Sequence, residues 1–183
     1  MAGEPQAERL IESRRAYEGR ILNLRLDSVE LPSGHRSLRE VVEHDEVVAI
    51  VPVDANGDVL LVRQYRQAVG KALLEVPAGG VDKGEDLLDA AQRELQEETG
   101  YRAESLERLG GFYVSPGYCT EYIHLYLACG LSESSLDADE DEDIVLERLP
   151  LDGAIELIGS GEIQDAKSIS GLLLVRSAFD ASG

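Results

Sequence analysis

The chain has no tryptophan, two phenylalanines, two cysteines and one methionine among its 183 residues. Cys119 and Cys129 stand ten residues apart in an aromatic and aliphatic stretch. That spacing gives neither a cysteine metal centre nor a disulfide framework, and buried free thiols are the expectation. Basic residues are also scarce, with 17 Lys and Arg against 36 Asp and Glu and a net charge of −19. Such a balance repels a phosphate backbone, so no nucleic-acid partner is expected. No run approaches the roughly 18 apolar residues a membrane span needs. The opening "MAGEPQAERLIESRR" has no apolar signal core, so the expectation is a cytoplasmic protein without a membrane partner. Acidity also serves solubility alone, and the net charge by itself assigns no chemistry.

What is present is enough for a core: 43% of the chain is apolar, and its length suits one principal domain. After a polar leader, "ILNLRLDSVELPSGHRSLREVVEH" alternates apolar and polar residues on both sides of Pro32-Ser33-Gly34, as two strands joined by a turn do. "EVVAIVPVD" and "DVLLVRQYR" flank Ala55-Asn56-Gly57, which predicts a hairpin over residues 46–66. "ALLEVPAGG" reads as a buried strand running into a loop, and "EDLLDAAQRELQEET" as a helix stopped by Gly100. Two further strands flank Pro116-Gly117. An acidic loop, "SESSLDADEDED", precedes a strand at "IVLERLP", and short helices near Leu151–Gly159 and Asp165–Phe179 close the chain.

The helix within "AGGVDKGEDLLDAAQRELQEETGY", residues 78–101, is crowded with carboxylates. Advancing about 100° per residue, Glu94 and Glu98 fall on the same side as Leu87, Leu88, Ala90, Ala91 and Leu95. Asp86, Asp89, Gln92, Arg93, Gln96 and Glu97 lie on the flank or face solvent. Two like charges one turn apart on a core-facing stripe repel and lose hydration unless something positive sits between them. A divalent cation answers that need, and hard oxygen ligands suit magnesium or manganese. The glycines after Ala78 let backbone approach a ligand closely. Periodicity alone leaves open the other answer, an ordinary ion-pair network with Arg93.

Spacing adds more. Gly79, five residues, Glu85, seven residues, then Arg93-Glu94-Leu95-Gln96-Glu97-Glu98-Thr99-Gly100-Tyr101 resembles the Nudix box, nine specified positions at fixed spacing over 23 residues. Tyr101, aromatic where the pattern is aliphatic, is its loose match. The resemblance implies an α/β fold, a mixed β-sheet sandwiched between α-helices with an N-terminal antiparallel β segment. It implies a base-binding and dimerising segment over residues 1–45 and a hydrolase domain over 46–183. It also implies a loop-helix-loop that binds divalent cations and cleaves a nucleoside diphosphate linked to another group. Glu94, Glu98 and the Ala78 carbonyl would be metal ligands, Glu97 would bind a further metal or polarise a water, and Glu85 with Arg93 would brace loop and helix. Mg²⁺, with Mn²⁺ as the alternative, is the cofactor implied.

More widely the chain looks like the ADP-ribose pyrophosphatase group of that superfamily, through "LLVRQYR", "EVPAG", "YVSPGYCTEYIHLYLA" and "GEIQDAKSISGLLL". On that resemblance the acidic loop carries the general base, Glu142 or alternatively Glu140. Arg39 and Glu40 would contact adenine or ribose, Arg66 would lie near the diphosphate, and Pro116 occupies the group's proline position. Aromatic residues that sandwich adenine are few here, with Tyr17 a candidate. The expected reaction is Mg²⁺-dependent hydrolysis of ADP-ribose to AMP and ribose 5-phosphate by a homodimer. Another nucleoside diphosphate sugar such as GDP-mannose, or a non-catalytic nucleotide sensor, are the alternatives. Dense carboxylates without a His, Cys or Ser nucleophile suit phosphoryl chemistry that rests on positioning and charge neutralisation.

Overall fold

The structure, a computed structural model, describes residues 4–136 and 143–182. The chain divides into two compact units, one formed by Met1–Asp45 with Tyr113–Tyr122 and the other by Glu46–Phe112 with Ile123–Gly183. Residues 113–122 thus join the N-terminal segment instead of the body that surrounds them in sequence.

In the first unit β1 (Arg9–Glu18), β2 (Leu22–Glu30) and β3 (Arg36–His44) form an antiparallel sheet in that order. The β2–β3 turn follows from its residues: Gly34 has φ 81° and donates its N–H to Leu31 O at 2.8 Å. β1 comes from a stretch that reads as polar leader, because all ten of its residues are exposed and give no apolar alternation. It pairs with β2 from Arg9↔Glu30 to Glu18↔Asn23. The segment from Pro116 to Thr120 closes the other edge, where Val42 N–H donates to Tyr118 O at 2.7 Å and Thr120 N–H to Val42 O at 2.9 Å.

The second unit contains β4 (Val47–Pro52), β5 (Asp58–Arg66), β6 (Lys71–Glu75), β7 (Ala78–Gly80), α1 (Leu87–Thr99), β8 (Tyr101–Arg102), β9 (Ser105–Tyr113, its last residue in the first unit), β10 (Tyr122–Cys129, its first residue there too), β11 (Ser132–Glu133), β12 (Ile144–Pro150), α2 (Leu151–Ser160) and α3 (Ala166–Ser182). One mixed sheet runs β7-β4-β10-β9, with β4 and β10 parallel from Val47↔Ile123 to Pro52↔Ala128. A second, antiparallel sheet runs β12-β5-β6.

Residues of β4 face alternate sides. Val48 and Ile50 pack with Ala90, Ala91 and Leu95 of α1, and Val47, Ala49 and Val51 pack with Leu61, Leu125, Leu172 and Val175. The mixed sheet is therefore covered by α1 on one face and by α3 and the second sheet on the other, an α/β architecture. Gly171 lets α3 come close, since a Cβ there would lie 2.8 Å from Val51 Cγ2 and 3.2 Å from Leu125 Cδ1. No helix among the described residues is long and apolar enough to cross a membrane.

The hairpin expected over residues 46–66 is corrected. Its turn exists, with Gly57 at φ 84° and Asn56 N–H donating to Asp54 Oδ1 at 2.8 Å. Its strands, however, meet only at an isolated Val53↔Val59 bridge and then enter different sheets. β4 is buried along its whole length and has β7 on one edge and β10 on the other, so no edge remains for β5. A continuously apolar run marks such an interior strand better than the turn beside it marks a hairpin.

Candidate active site

α1 begins where Asp86 accepts Leu88 N–H at 2.8 Å and ends where Gly100, at φ 75°, donates its N–H to Gln96 O. Asp86, whose angle puts it on the flank or toward solvent, is a helix cap. Between these ends Ala90, Ala91 and Leu95 are fully buried, and Glu94 and Glu98 lie with them at 9% and 7% exposure. Leu88, grouped with that stripe by its angle, is 47% exposed, because it sits at the stripe's edge in the first turn where no element covers it.

Both buried carboxylates meet the loop at Ala78 and Gly79. Glu98 Oε2 accepts the Ala78 N–H at 3.1 Å. The Glu94 carboxylate occupies the space a Cβ would take at Gly79, far inside van der Waals contact, so only glycine admits it. β7 fixes that loop by pairing with β4 from Ala49↔Ala78 to Val47↔Gly80. The donor set is two carboxylates from one helical stripe beside a glycine-opened backbone, all hard oxygen, and this suits a divalent cation of the magnesium type. Among the described residues no group of three or more His, Cys, Asp and Glu side chains is gathered as a metal site.

Arg93 organises the surroundings. Its Nε and Nη2 each donate to Glu85 at 3.0 Å, Nη2 also reaches Gly80 O at 2.9 Å, and Nη1 donates to Glu94 at 2.6 Å and Glu97 at 2.9 Å. The Glu85 bonds, then those to Glu94 and Glu97, hold the guanidinium pKa well above its ordinary value against burial. Glu85 is correspondingly lowered, first by Arg93. Glu85, Arg93, Glu94 and Glu97 are thus one cluster. Of the two answers left open by periodicity, the ion pair with Arg93 is present at Glu94, while Glu98 accepts a backbone amide.

Arg66 donates to Glu75 through Nε at 3.1 Å and Nη2 at 2.8 Å. In the first unit Arg39 and Pro116 line one cavity of about 530 Å³ with Asp27, Tyr118 and Cys119. Arg39 is held there by Glu8, through Nη2 at 2.5 Å and Nε at 3.0 Å, and these bonds raise its pKa. Glu40 is not in that lining, because neighbours along a strand point to opposite faces and Arg39 and Val41 take the cavity side. Tyr17 is exposed and lines a different cavity, with Arg20 and Leu22. Glu140 and Glu142 lie outside the described residues.

Sequence reasoning passed over two further groups. Glu75, only 2% exposed, joins Arg66 and Lys167, and its signal was a lone acid closing an apolar strand before a proline. Arg148 on β12 lies 5.6 Å over the Tyr101 ring and donates to its hydroxyl at 3.1 Å, which gives the box's aromatic end a partner that an aliphatic side chain would lack. Nothing in the local pattern announces that pairing.

The profile of the NUDIX domain matches residues 43–171, and that of the nucleoside diphosphate sugar hydrolase N-terminal domain matches residues 8–42. The chain is similar to a methanol dehydrogenase activator of Bacillus methanolicus, 43% identical over 88% of this chain and 89% of that one. It is similar to an ADP-ribose pyrophosphatase of Bacillus subtilis (strain 168), 39% identical over 88% of both. A crystal structure of an ADP compounds hydrolase superposes with a TM-score of 0.90 at 27% identity, covering 100% of this chain and 99% of the other.

Proposed function

The chain belongs to the Nudix family, and from that premise we propose that it is a pyrophosphohydrolase that cleaves the diphosphate of ADP-ribose to AMP and ribose 5-phosphate. The observation that carries the reading is the convergence of two buried carboxylates, Glu94 and Glu98, on the backbone of Ala78 and Gly79. Ion pairing with Arg93 accounts for one of them but supplies no reason for a glycine cradle beneath it.

Glu94, Glu98 and the Ala78 carbonyl would hold Mg²⁺, with Mn²⁺ able to replace it. The bound cation supplies neutralisation of the diphosphate oxygens and a more acidic water. The chain does the rest. Arg93 ties Glu85 and Gly80 O to the helix, so loop and carboxylates stay in register. Glu97 polarises a water, and Glu142, with Glu140 as the alternative, takes its proton. Arg66 receives the diphosphate. Arg39 and Pro116, sharing one cavity, take the adenosine end. Glu40, turned from that cavity, would serve only across a subunit boundary.

A homodimer is part of the reading. It is supported by the apolar side chains exposed on the N-terminal strands, Leu10 at 56% and Leu38 at 54%, and by the open edge of β1. The free thiols of Cys119 and Cys129 suit a cytoplasmic setting.

The match of residues 8–42 to a nucleoside diphosphate sugar hydrolase segment suits ADP-ribose and equally admits one second reading, a different sugar nucleotide such as GDP-mannose. Turnover of a panel of nucleoside diphosphate derivatives at fixed Mg²⁺ tests both. ADP-ribose should give the highest kcat/KM, and Glu98→Gln should lower it by orders of magnitude with the fold intact. Near-normal turnover by Glu98→Gln overturns the site assignment.

A further inference from the structure

Glu75 is a charged side chain buried to 2% exposure at the end of β6, three residues before Ala78. Both its oxygens are engaged. Oε1 accepts Arg66 Nε at 3.1 Å, and Oε2 accepts Arg66 Nη2 at 2.8 Å and also Lys167 Nζ. Lys167 is itself fixed by Asp165 Oδ1 at 3.0 Å. One residue further on, Val76 N–H donates to the fully buried Ser168 Oγ at 2.8 Å. β5, β6 and the first turn of α3 are therefore clasped at one point.

Fold stability does not require this arrangement. A buried ion pair is often no better than a well-packed apolar replacement, since desolvation offsets the attraction. What a two-pronged bond to guanidinium adds is geometry, because it fixes the plane of the fork and leaves little rotamer freedom to lose on binding. Arg66 so held remains 38% exposed. Three extended residues span at most about 10 Å, so the Arg66–Glu75 pair lies near the Ala78–Gly79 loop where Glu94 and Glu98 converge. Burial alone would push the Glu75 pKa up, but Arg66 and Lys167 hold it below its ordinary value, so the hub is an anion at neutral pH.

We infer that Glu75 is a positioning residue for the substrate's diphosphate, acting through Arg66 and itself locked from α3 by Lys167. The inference rests on the proposed reading, in which Arg66 receives the diphosphate. It adds that Arg66 binds as half of a rigid pair whose aim is set by a buried carboxylate.

The test compares Glu75→Gln, Arg66→Gln and the double variant at fixed Mg²⁺. The readouts are ADP-ribose kcat and KM, competitive inhibition by inorganic pyrophosphate, and inhibition by adenosine, which carries no phosphate. Loss of a charge-assisted contact should raise KM and the pyrophosphate inhibition constant about tenfold in each single variant, with kcat and adenosine inhibition within about twofold. The double variant should be no worse than Arg66→Gln alone, because the two residues act as one unit. If Arg66→Gln weakens pyrophosphate and Glu75→Gln does not, the inference is overturned and the reading of Arg66 stands. If Arg66→Gln leaves pyrophosphate binding unchanged, that reading falls and the inference with it. Equal weakening of pyrophosphate and adenosine also overturns it, because a merely structural role predicts that pattern. Should Glu75→Gln not fold, Lys167→Gln, which leaves the Arg66–Glu75 pair in place, is read in the same assay. It should weaken pyrophosphate selectively by about threefold, and no change overturns the inference.

Discussion

Arg93 and Glu85 meet through two hydrogen bonds of 3.0 Å each, one from Nε and one from Nη2, across the turn that leads from β7 into α1. The same guanidinium serves Gly80 O, Glu94 and Glu97, so one planar group with five N–H donors sets the loop, the helix and two carboxylates together. A lysine keeps the charge but not the fork. Arg93→Lys should lose about 1–3 kcal/mol of stability, as unsatisfied polar partners do, and lower kcat at least tenfold. Thermal melting and steady-state turnover measure the two effects. A melting temperature and rate both equal to the parent's would show that charge alone suffices.

At Gly79 the expected effects separate. An added methyl group collides with the Glu94 carboxylate and not with backbone, and the end of a flexible side chain can swing aside. Gly79→Ala should therefore fold with a loss within about 1 kcal/mol. It should nevertheless displace Glu94 from the loop, lowering kcat/KM at least tenfold and raising the Mg²⁺ concentration needed for half-maximal rate. Unchanged Mg²⁺ dependence would separate Glu94 from cation binding.

These two positions also mark what a single sequence could tell. α1 was legible because its period, its acidic stripe and its glycine stop are local, and helix geometry turns spacing directly into direction. The two buried carboxylates, Glu94 and Glu98, came from the same arithmetic. β1 was not legible, because a fully exposed strand carries no burial pattern and owes its pairing to β2. The Asn56-Gly57 turn misled, because a turn fixes where the chain reverses but not which edges remain open, and β4 had none left for β5. Long-range pairs such as Glu75 with Lys167 or Tyr101 with Arg148 join positions far apart in sequence, and neither leaves a local period. Leu88 shows the limit of the angle itself, since the stripe's edge is set by what packs over it.

Acid stability gives a check on the buried hub. Glu75 has a folded pKa below its ordinary 4.5, with Arg66 and Lys167 outweighing burial. A group lowered on folding contributes stability that is fully present above its unfolded value and is lost as pH falls through the folded one. For Glu75 that contribution is complete at neutral pH and decays below about pH 4.5. Glu85 and Asp54 are lowered as well, Glu85 by Arg93, and Asp54 by backbone N–H groups and Arg148 acting against burial, so the parent declines through several groups at once. Glu75→Gln removes one of these titrations. It should be less stable at neutral pH by about 1–3 kcal/mol, the loss of the charge-assisted hydrogen bonds that Arg66 and Lys167 make to it. Its stability should then fall less steeply than the parent's below about pH 4.5, so that the two curves converge on acidification. Parallel curves in chemical denaturation across that range would mean that Glu75 titrates alike in the folded and unfolded chain and that the Arg66–Glu75–Lys167 clasp contributes no charge-dependent stability.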